Sequence, residues 1–252
     1  MKKKNKKVNA AILIIGNEIL SGRTQDKNVS FISKWLNDKC GISVGEVRVI
    51  PDIEKKIILT VLELSSKFKY VFTTGGIGPT HDDITAQSIS KAFKKKYTFH
   101  PEAYRILEKY YGKKNFNDGR KKMAMMPQDS KLIYNPSSAA PGFKIKNVLC
   151  FPGVPQILNS MIENCKKFLS KGSKTFSRTI NLLTVESTIS KELGLIQKKY
   201  IKNIEIGSYP FFRVGKIGVS VVLRSENKKF INLVAKEVKK VAKNKRLKIF
   251  KY

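Results

Sequence analysis

Between Thr73 and Thr85 the chain reads Thr-Thr-Gly-Gly-Ile-Gly-Pro-Thr-His-Asp-Asp-Ile-Thr, residue types suited to gripping an anion. Gly75, Gly76 and Gly78 lack Cβ, so backbone N–H groups there can approach a phosphate closely, and a helix starting just beyond adds a favourable dipole. Thr73, Thr74, Thr80 and Thr85 add hydroxyls. Asp82 and Asp83 could hold a divalent cation that bridges phosphate oxygens. The plainer alternative is a glycine turn whose Asp82 or Asp83 merely caps a helix. Here glycines, hydroxyls and carboxylates follow directly on an apolar strand pattern, and that combination favours the ligand site.

The flanking pattern supplies the scaffold. Val8–Ile15 is a β-branched apolar run, the mark of a strand buried on both faces. A helix is expected from Asp26 to Lys39, stopped by Gly41, then a strand over Ile42–Ile50. Asp52 follows Pro51 and reads as the N-cap of the next helix. Tyr70–Thr74 is a third buried strand, ending in the glycine loop. Strand, helix, strand, helix, strand, loop and helix make a doubly wound parallel sheet, which binds ligands beyond the carboxyl ends of its strands. Glu18, Asp52 and the Gly75–Asp83 loop all follow such ends and are expected in one crevice, lined by Glu18, Asp52 and Asp83.

Residues 84–95 read as a helix, and 101–126, with Gly112 and Gly119, as two short helices passing over the site. Leu132–Tyr134 and Phe143–Ile145 form an expected hairpin around Asn135–Gly142. Val148–Phe151 is another buried strand, followed by Pro152-Gly153-Val154-Pro155 and a helix to about Leu169. Ser170–Lys174 is the linker candidate. Beyond it come a strand (Phe176–Val185), a helix (Ile189–Tyr200), two strands (Ile204–Tyr209 and Ile217–Arg224) and a helix (Phe230–Ala242), a small α+β unit. The expected organisation is a basic tail over 1–7, an α/β domain over 8–170 and the small domain over 175–252.

The loop, with Gly16-Asn17-Glu18-Ile19-Leu20-Ser21-Gly22, Asp26-Lys27-Asn28, Asp52, Asn135-Pro136, Ala140-Pro141-Gly142-Phe143 and Phe151-Pro152-Gly153-Val154-Pro155, resembles the molybdopterin-binding domain of the MoaB/Mog superfamily. Within it, the chain is most similar to the N-terminal region of the CinA-type competence/damage-inducible proteins. The resemblance covers residues 8–170 and reaches, more weakly, Val185-Glu186-Ser187, Gly207-Ser208-Tyr209-Pro210 and Val219–Ser225 of the small domain. It implies a three-layer α/β domain with a parallel sheet that self-associates as a dimer or trimer. It also implies one of several chemistries, from binding or adenylylating molybdopterin to metal-dependent hydrolysis of ADP-ribose or FAD.

Carried over by motif position, the aspartates that matter for adenylyl transfer fall on Asp52 and Asp83, with Glu18 beside them. Ligand contacts fall on Gly16, Asn17, Thr74, Gly75, Gly76, Gly78, Thr80, Thr85, Asn135, Pro141, Gly142, Pro152 and Gly153. Asp82 is an extra carboxylate typical of the CinA-like branch, and it turns the expectation toward hydrolysis assisted by Mg²⁺, Mn²⁺ or Co²⁺ held by Asp82 and Asp83. The sequence departs from the family where Gln156 is followed by Ile157 rather than Glu, at Ser138 and Ala139, and at Val185. A non-catalytic molybdopterin-binding protein is therefore the second reading.

Other features count for less. A lone histidine in a polar loop, His81, is more often solvated than a ligand; His100 reads as a surface residue at a helix start. Ser21 has no paired histidine, which argues against nucleophilic serine chemistry. Gly215-Lys216-Ile217-Gly218 mimics an RNA-binding GXXG loop but lies between expected strands, so it reads as a hairpin turn. Tyr209-Pro210-Phe211-Phe212 could stack a base; packing at a domain interface is the preferred reading.

Composition sets outer bounds. At 252 residues, 41% hydrophobic and 10% aromatic, the chain can bury a proper core. No apolar run reaches the roughly 20 residues that span a bilayer, so no membrane partner is expected. The lysine-rich start followed by Val8–Ile15 superficially resembles a secretion signal, but it runs into Gly16-Asn17-Glu18 with no small-residue cleavage site. The three cysteines, Cys40, Cys150 and Cys165, are scattered through apolar stretches, as expected of buried thiols in a reducing cytoplasm. A formal charge of +31 invites a nucleic-acid partner, yet the lysines are spread over nearly every segment. That favours a lysine-rich proteome and only nonspecific, salt-sensitive nucleic-acid binding.

Overall fold

The N-terminal apolar run forms β1 (Asn9–Ile15), and it is apolar from Ala10 to Ile15 because its two faces feed two cores. Ala11, Leu13 and Ile15 pack into one layer; Ala10, Ile12 and Ile14 pack into the other. The protein is described by a computed structural model over residues 8–213 and 215–250; the basic tail expected over 1–7 lies outside these residues.

After β1 come α1 (Asn17–Leu20), α2 (Asn28–Trp35), β2 (Ser43–Ile50), α3 (Glu54–Lys67), β3 (Tyr70–Thr74) and α4 (Thr85–Ala92). A small ribbon, β4 (Tyr97–Phe99) with β5 (Met125–Pro127), brackets α5 (Pro101–Tyr111) and α6 (Asp118–Lys122). Then β6 (Lys131–Ile133) and β7 (Gly142–Ile145) form the expected hairpin, followed by β8 (Val148–Phe151) and α7 (Pro155–Met161). The sheet is six-stranded in the order β2-β1-β3-β8-β7-β6. Strands β2, β1, β3 and β8 run parallel, while β7 and β6 are antiparallel additions, so the sheet is parallel-rich rather than wholly parallel.

Two expected helices change character before they end. The helix expected from Asp26 to Lys39 is α-helical only to Trp35, then widens into a π-turn over Leu36–Cys40, and Gly41 closes it at φ 66°. The wider turn keeps both Leu36 and Cys40 buried in the second core. Similarly α7 passes into a 3₁₀ stretch over Ile162–Phe168. All three cysteines are buried free thiols.

The chain divides into two compact units, Met1–Gly172 and Ser173–Tyr252. The second contains β9 (Phe176–Leu183), α8 (Glu186–Lys199), β10 (Glu205–Arg213), β11 (Lys216–Ser225), α9 (Lys228–Asn244) and β12 (Lys248–Phe250), the last unforeseen in the sequence. Its sheet order, β10-β11-β9-β12, with antiparallel neighbours and two helices, is the split βαβ arrangement. Ile231, Val234, Ala235, Val238 and Ala242 form the buried stripe of α9 at helical spacing, and they pack with Val219, Val221 and Leu223. Among the described residues no helix is long and apolar enough to cross a membrane.

Candidate functional site

Because four strands run parallel, their carboxyl ends share one edge of the sheet, and the loops that follow are tied together there. The Gly16 N–H donates to the Ile50 carbonyl (3.1 Å), and the Gly75 N–H to the Phe151 carbonyl (3.1 Å). The Asn28 side chain, at the start of α2, donates to the Gly153 carbonyl (2.8 Å). One rim thus collects the ends of β1, β2, β3 and β8.

Asp52 does not cap α3, whose N-cap is Ile53. Its Oδ2 instead accepts the Asn17 N–H at 2.9 Å, reaching across to the first residue of α1. The sequence suggests the wrong helix because Pro51 and Asp52 precede α3 in the chain, whereas the unpaired N–H nearest in space belongs to the neighbouring loop. Burial pushes the Asp52 carboxyl above its ordinary pKa; the Asn17 N–H opposes this, and the charges of Glu18 and Asp82 raise it further. Glu18 folds over Gly16: a Cβ there would lie 2.6 Å from both carboxylate oxygens.

The glycines of the loop are required by the protein's own packing. Gly75 has φ 100°, and a Cβ would strike the Ile15 carbonyl; Gly76 has φ 67°, and a Cβ would strike Thr85 Oγ1. Gly153 packs on Gly75, 3.5 Å from its Cα to a built Cβ. Thr74 Oγ1, Thr85 Oγ1 and Asn28 Oδ1 are buried beside this loop without a hydrogen-bond partner among the described residues. Each such group costs about 1–3 kcal/mol, so their collection at one rim is an unusual expense for the fold.

The neighbouring aspartates share Thr80 and differ in exposure. Asp83 turns back on the loop, where its Oδ2 accepts the Thr80 N–H (2.8 Å) and the Thr80 hydroxyl (2.5 Å). It caps no helix, since the N-cap of α4 is Ile84 with no side-chain bond. Its charge is felt by Tyr97, whose hydroxyl burial and Asp83 together raise. Asp82 is exposed and acts on Asp52; the Thr80 hydroxyl and its own backbone N–H hold it below the usual range, aided by His81 and Lys122.

Not every expected ligand residue is free for a ligand. Asn135 spends its whole hydrogen-bonding capacity on its own turn: Oδ1 accepts from Ser137 and Ser138 N–H, and Nδ2 donates to Ser138 Oγ and the Ala140 carbonyl. Gly142 permits the close pairing of β7 with β8, because a Cβ would strike the Cys150 carbonyl. Pro141 lines a cavity of about 10 Å³, room for one water at most, with Gly78, Asp83, Tyr97 and Lys122. Lys122, from the excursion predicted to pass over the site, also donates to the Thr80 carbonyl. Asn28, Tyr97 and Lys122 escaped sequence reasoning as site residues. Only Asn28 stood in a recognisable motif; Tyr97 and Lys122 arrive from the excursion, whose path composition does not encode. Among the described residues no three of His, Cys, Asp and Glu gather around one point for a metal ion.

An α/β domain with parallel strand ends, a glycine loop and carboxylates on the neighbouring loops is the class this geometry defines. The chain belongs to the family described as a probable molybdopterin binding domain, which matches residues 11–171 and stands here close to CinA. Residues 174–249 match the FAD synthase middle domain. A protein of Archaeoglobus fulgidus is 33% identical over 199 residues, covering 79% of this chain and 84% of its own. A CinA-like protein of Prochlorococcus marinus is 31% identical over 247 residues, 91% of this chain; the chain spans only 56% of that relative's length. The crystal structure of the protein CinA from Thermoplasma acidophilum superposes with TM-score 0.60 at 30% identity, over 65% of this chain and 99% of that one.

Proposed function

We propose that the crevice binds a nucleotide pyrophosphate of the ADP-ribose or FAD kind and hydrolyses it with a divalent metal ion. One observation carries this reading: Glu18, Asp52 and Asp82 converge electrostatically beside the glycine loop, in a chain with 50 Lys and Arg against 19 Asp and Glu. The charges of Glu18 and Asp82 oppose the ionisation of the half-buried Asp52, and a hard cation with phosphate oxygens is the partner that offsets them. Two carboxylates suffice when the phosphates and water complete the shell of Mg²⁺, Mn²⁺ or Co²⁺. Asp82 and Asp52 would hold that ion, and its chemistry is to neutralise phosphate charge and acidify a water.

The chain's own residues do the rest. The Gly76–Gly78 backbone admits the phosphates, and Thr74 and Thr85 would donate hydroxyl protons to their oxygens. Glu18 would take the proton of the attacking water, while Asp83 keeps the loop in shape through Thr80. A second reading, binding of molybdopterin or a nucleotide without turnover, is favoured by the engagement of Asp83 with Thr80 rather than with the crevice.

The test is a panel of ADP-ribose, FAD, NAD and molybdopterin, assayed for binding and for turnover with Mg²⁺, Mn²⁺ or Co²⁺. Metal-dependent cleavage of ADP-ribose or FAD is the expected result. Binding of any of the four with no turnover under any metal would replace hydrolysis with the binding-only reading.

A further inference from the structure

The open face of the small domain is built differently from the crevice. In its sheet, Val219, Val221 and Leu223 face the helices, so Gly218, Ser220 and Val222 of β11 lie on the opposite side. One row crosses all four strands on that side: Tyr209 pairs with Ser220, Ser220 with Asn181, and Asn181 with Phe250. Its centre is polar, with Ser220 Oγ donating to Oδ1 of the buried Asn181 at 2.8 Å. Its two ends are aromatic.

Glycines let the rings lie down. A Cβ on Gly207 would meet the Tyr209 ring at 2.8 Å, and one on Gly218 would strike the Phe211 ring, which therefore covers bare backbone. Phe211 and Phe250 stack with centroids 6.1 Å apart and planes 30° apart. Cations sit at their margins: the Arg213 guanidinium is 5.9 Å from the Phe211 centroid, and Lys216 Nζ is 5.7 Å from that of Phe250. By strand alternation Lys248 and Arg224 share this side, where the carboxylate Glu205 is already bridged to Arg224 at 3.6 Å.

We propose that this aromatic and basic sheet face binds single-stranded nucleic acid, with bases stacked on Tyr209 and Phe211 and phosphates met by Lys216 and Lys248. Charge complementarity and ring presentation choose this occupant together. Flat, unstacked bases supply π-faces, and their backbone supplies the anions; every base qualifies, so the binding is tolerant of sequence. A duplex keeps its bases stacked on one another and meets only the cations. Rings that merely cover strand glycines would stabilise the sheet without this ligand preference, and that difference is measurable.

The experiment uses the full chain and a fluorescent oligothymidine, against a duplex of equal length, at about 0.15 M salt, where diffuse lysine attraction is screened. Single strand is expected to bind more tightly than duplex. Tyr209→Leu, which keeps an apolar cover over Gly207 but removes the ring, is expected to weaken single-strand binding roughly 5- to 150-fold with the salt slope unchanged. Tyr209→Trp is expected to retain the affinity, which separates stacking from folding. Lys236→Ala with Lys243→Ala, on the exposed side of α9 and away from the face, should leave both the salt slope and the preference for single strand intact. Equal affinity for both nucleic acids would overturn the proposal. So would a Tyr209→Leu variant that binds like the parent, including one whose only change is in sedimentation or vesicle binding.

Discussion

Strand β2 carries carboxylates in two contrasting settings. Along its flank, Glu46 pairs with Arg48, and Arg48 grips Glu63 of α3 with a two-pronged contact of 2.6 and 2.7 Å. Lys67 adds a further bond, and together these bring the Glu63 carboxyl down to about 2. At the end of the same strand Asp52 is pushed up instead, by burial and by the charges of Glu18 and Asp82. In a chain so rich in lysine, a carboxylate with a cation beside it is ordinary. A carboxylate raised by burial and by the charges of its neighbours is a cost the fold carries, and such costs concentrate where a ligand offsets them. The small domain's open sheet face is the reverse case, cations gathered around rings with a lone carboxylate among them.

The largest expected effect comes from breaking the loop on which the crevice depends. Gly75→Ala places a methyl group against the Ile15 carbonyl at φ 100°. Gly22 also has a positive φ, 73°, but a Cβ there meets nothing within 4 Å. Gly22→Ala should therefore cost only the backbone term, about 1 kcal/mol, and Gly75→Ala more than about 4 kcal/mol. Denaturant midpoints of the two variants check this. Similar costs would mean that the loop is not braced against the end of β1.

Next come the adjacent aspartates, which the crevice uses unequally. Asp82→Asn is expected to reduce metal-dependent turnover by about 100-fold or more, while metal-free nucleotide binding stays level or tightens as a negative charge leaves the phosphates. Asp83→Asn still accepts the Thr80 bonds, though without charge assistance, so it should lower stability by about 1 kcal/mol and turnover less than tenfold. Rates and melts of both variants decide the ranking. The reverse order would return the ion to Asp83, where sequence position alone put it.

Much of the scaffold was legible in the sequence. Val8–Ile15 and Tyr70–Thr74 declared themselves because a strand buried on both faces is apolar over most of its length, and Gly41 marked a helix end through its left-handed φ. What failed to show was pairing between distant segments. Asp52 looked like a cap for the helix that follows it, yet it serves Asn17, 35 residues earlier. The short β12 was missed because Lys248–Phe250 has no period of its own and becomes a strand only by pairing with β9. Phe211 and Phe250 likewise meet only once the sheet is assembled.

The smallest expected effect sharpens the contrast along β2, because it tests the flank where carboxylates are satisfied. Glu63 has an ordinary value of 4.5 and about 2 in the folded chain, so the folded state favours its ionised form. Its contribution is therefore complete above pH 4.5 and is lost as pH falls through about 2. Glu63→Gln should melt slightly below the parent at pH 7, and the two melting curves should converge as pH drops across that window. Raising the salt at pH 7 should shrink the gap too, since Glu63 and Lys67 lie in reach of solvent. Asp52 predicts the opposite sign. Its raised value makes ionisation a cost to the fold, so Asp52→Asn removes a penalty that exists at pH 7, against the loss of a charged acceptor for Asn17. If the Glu63→Gln gap persisted at pH 2, the ion pair with Arg48 would not be the source of the difference, and the contrast between flank and crevice would rest on Asp52 alone.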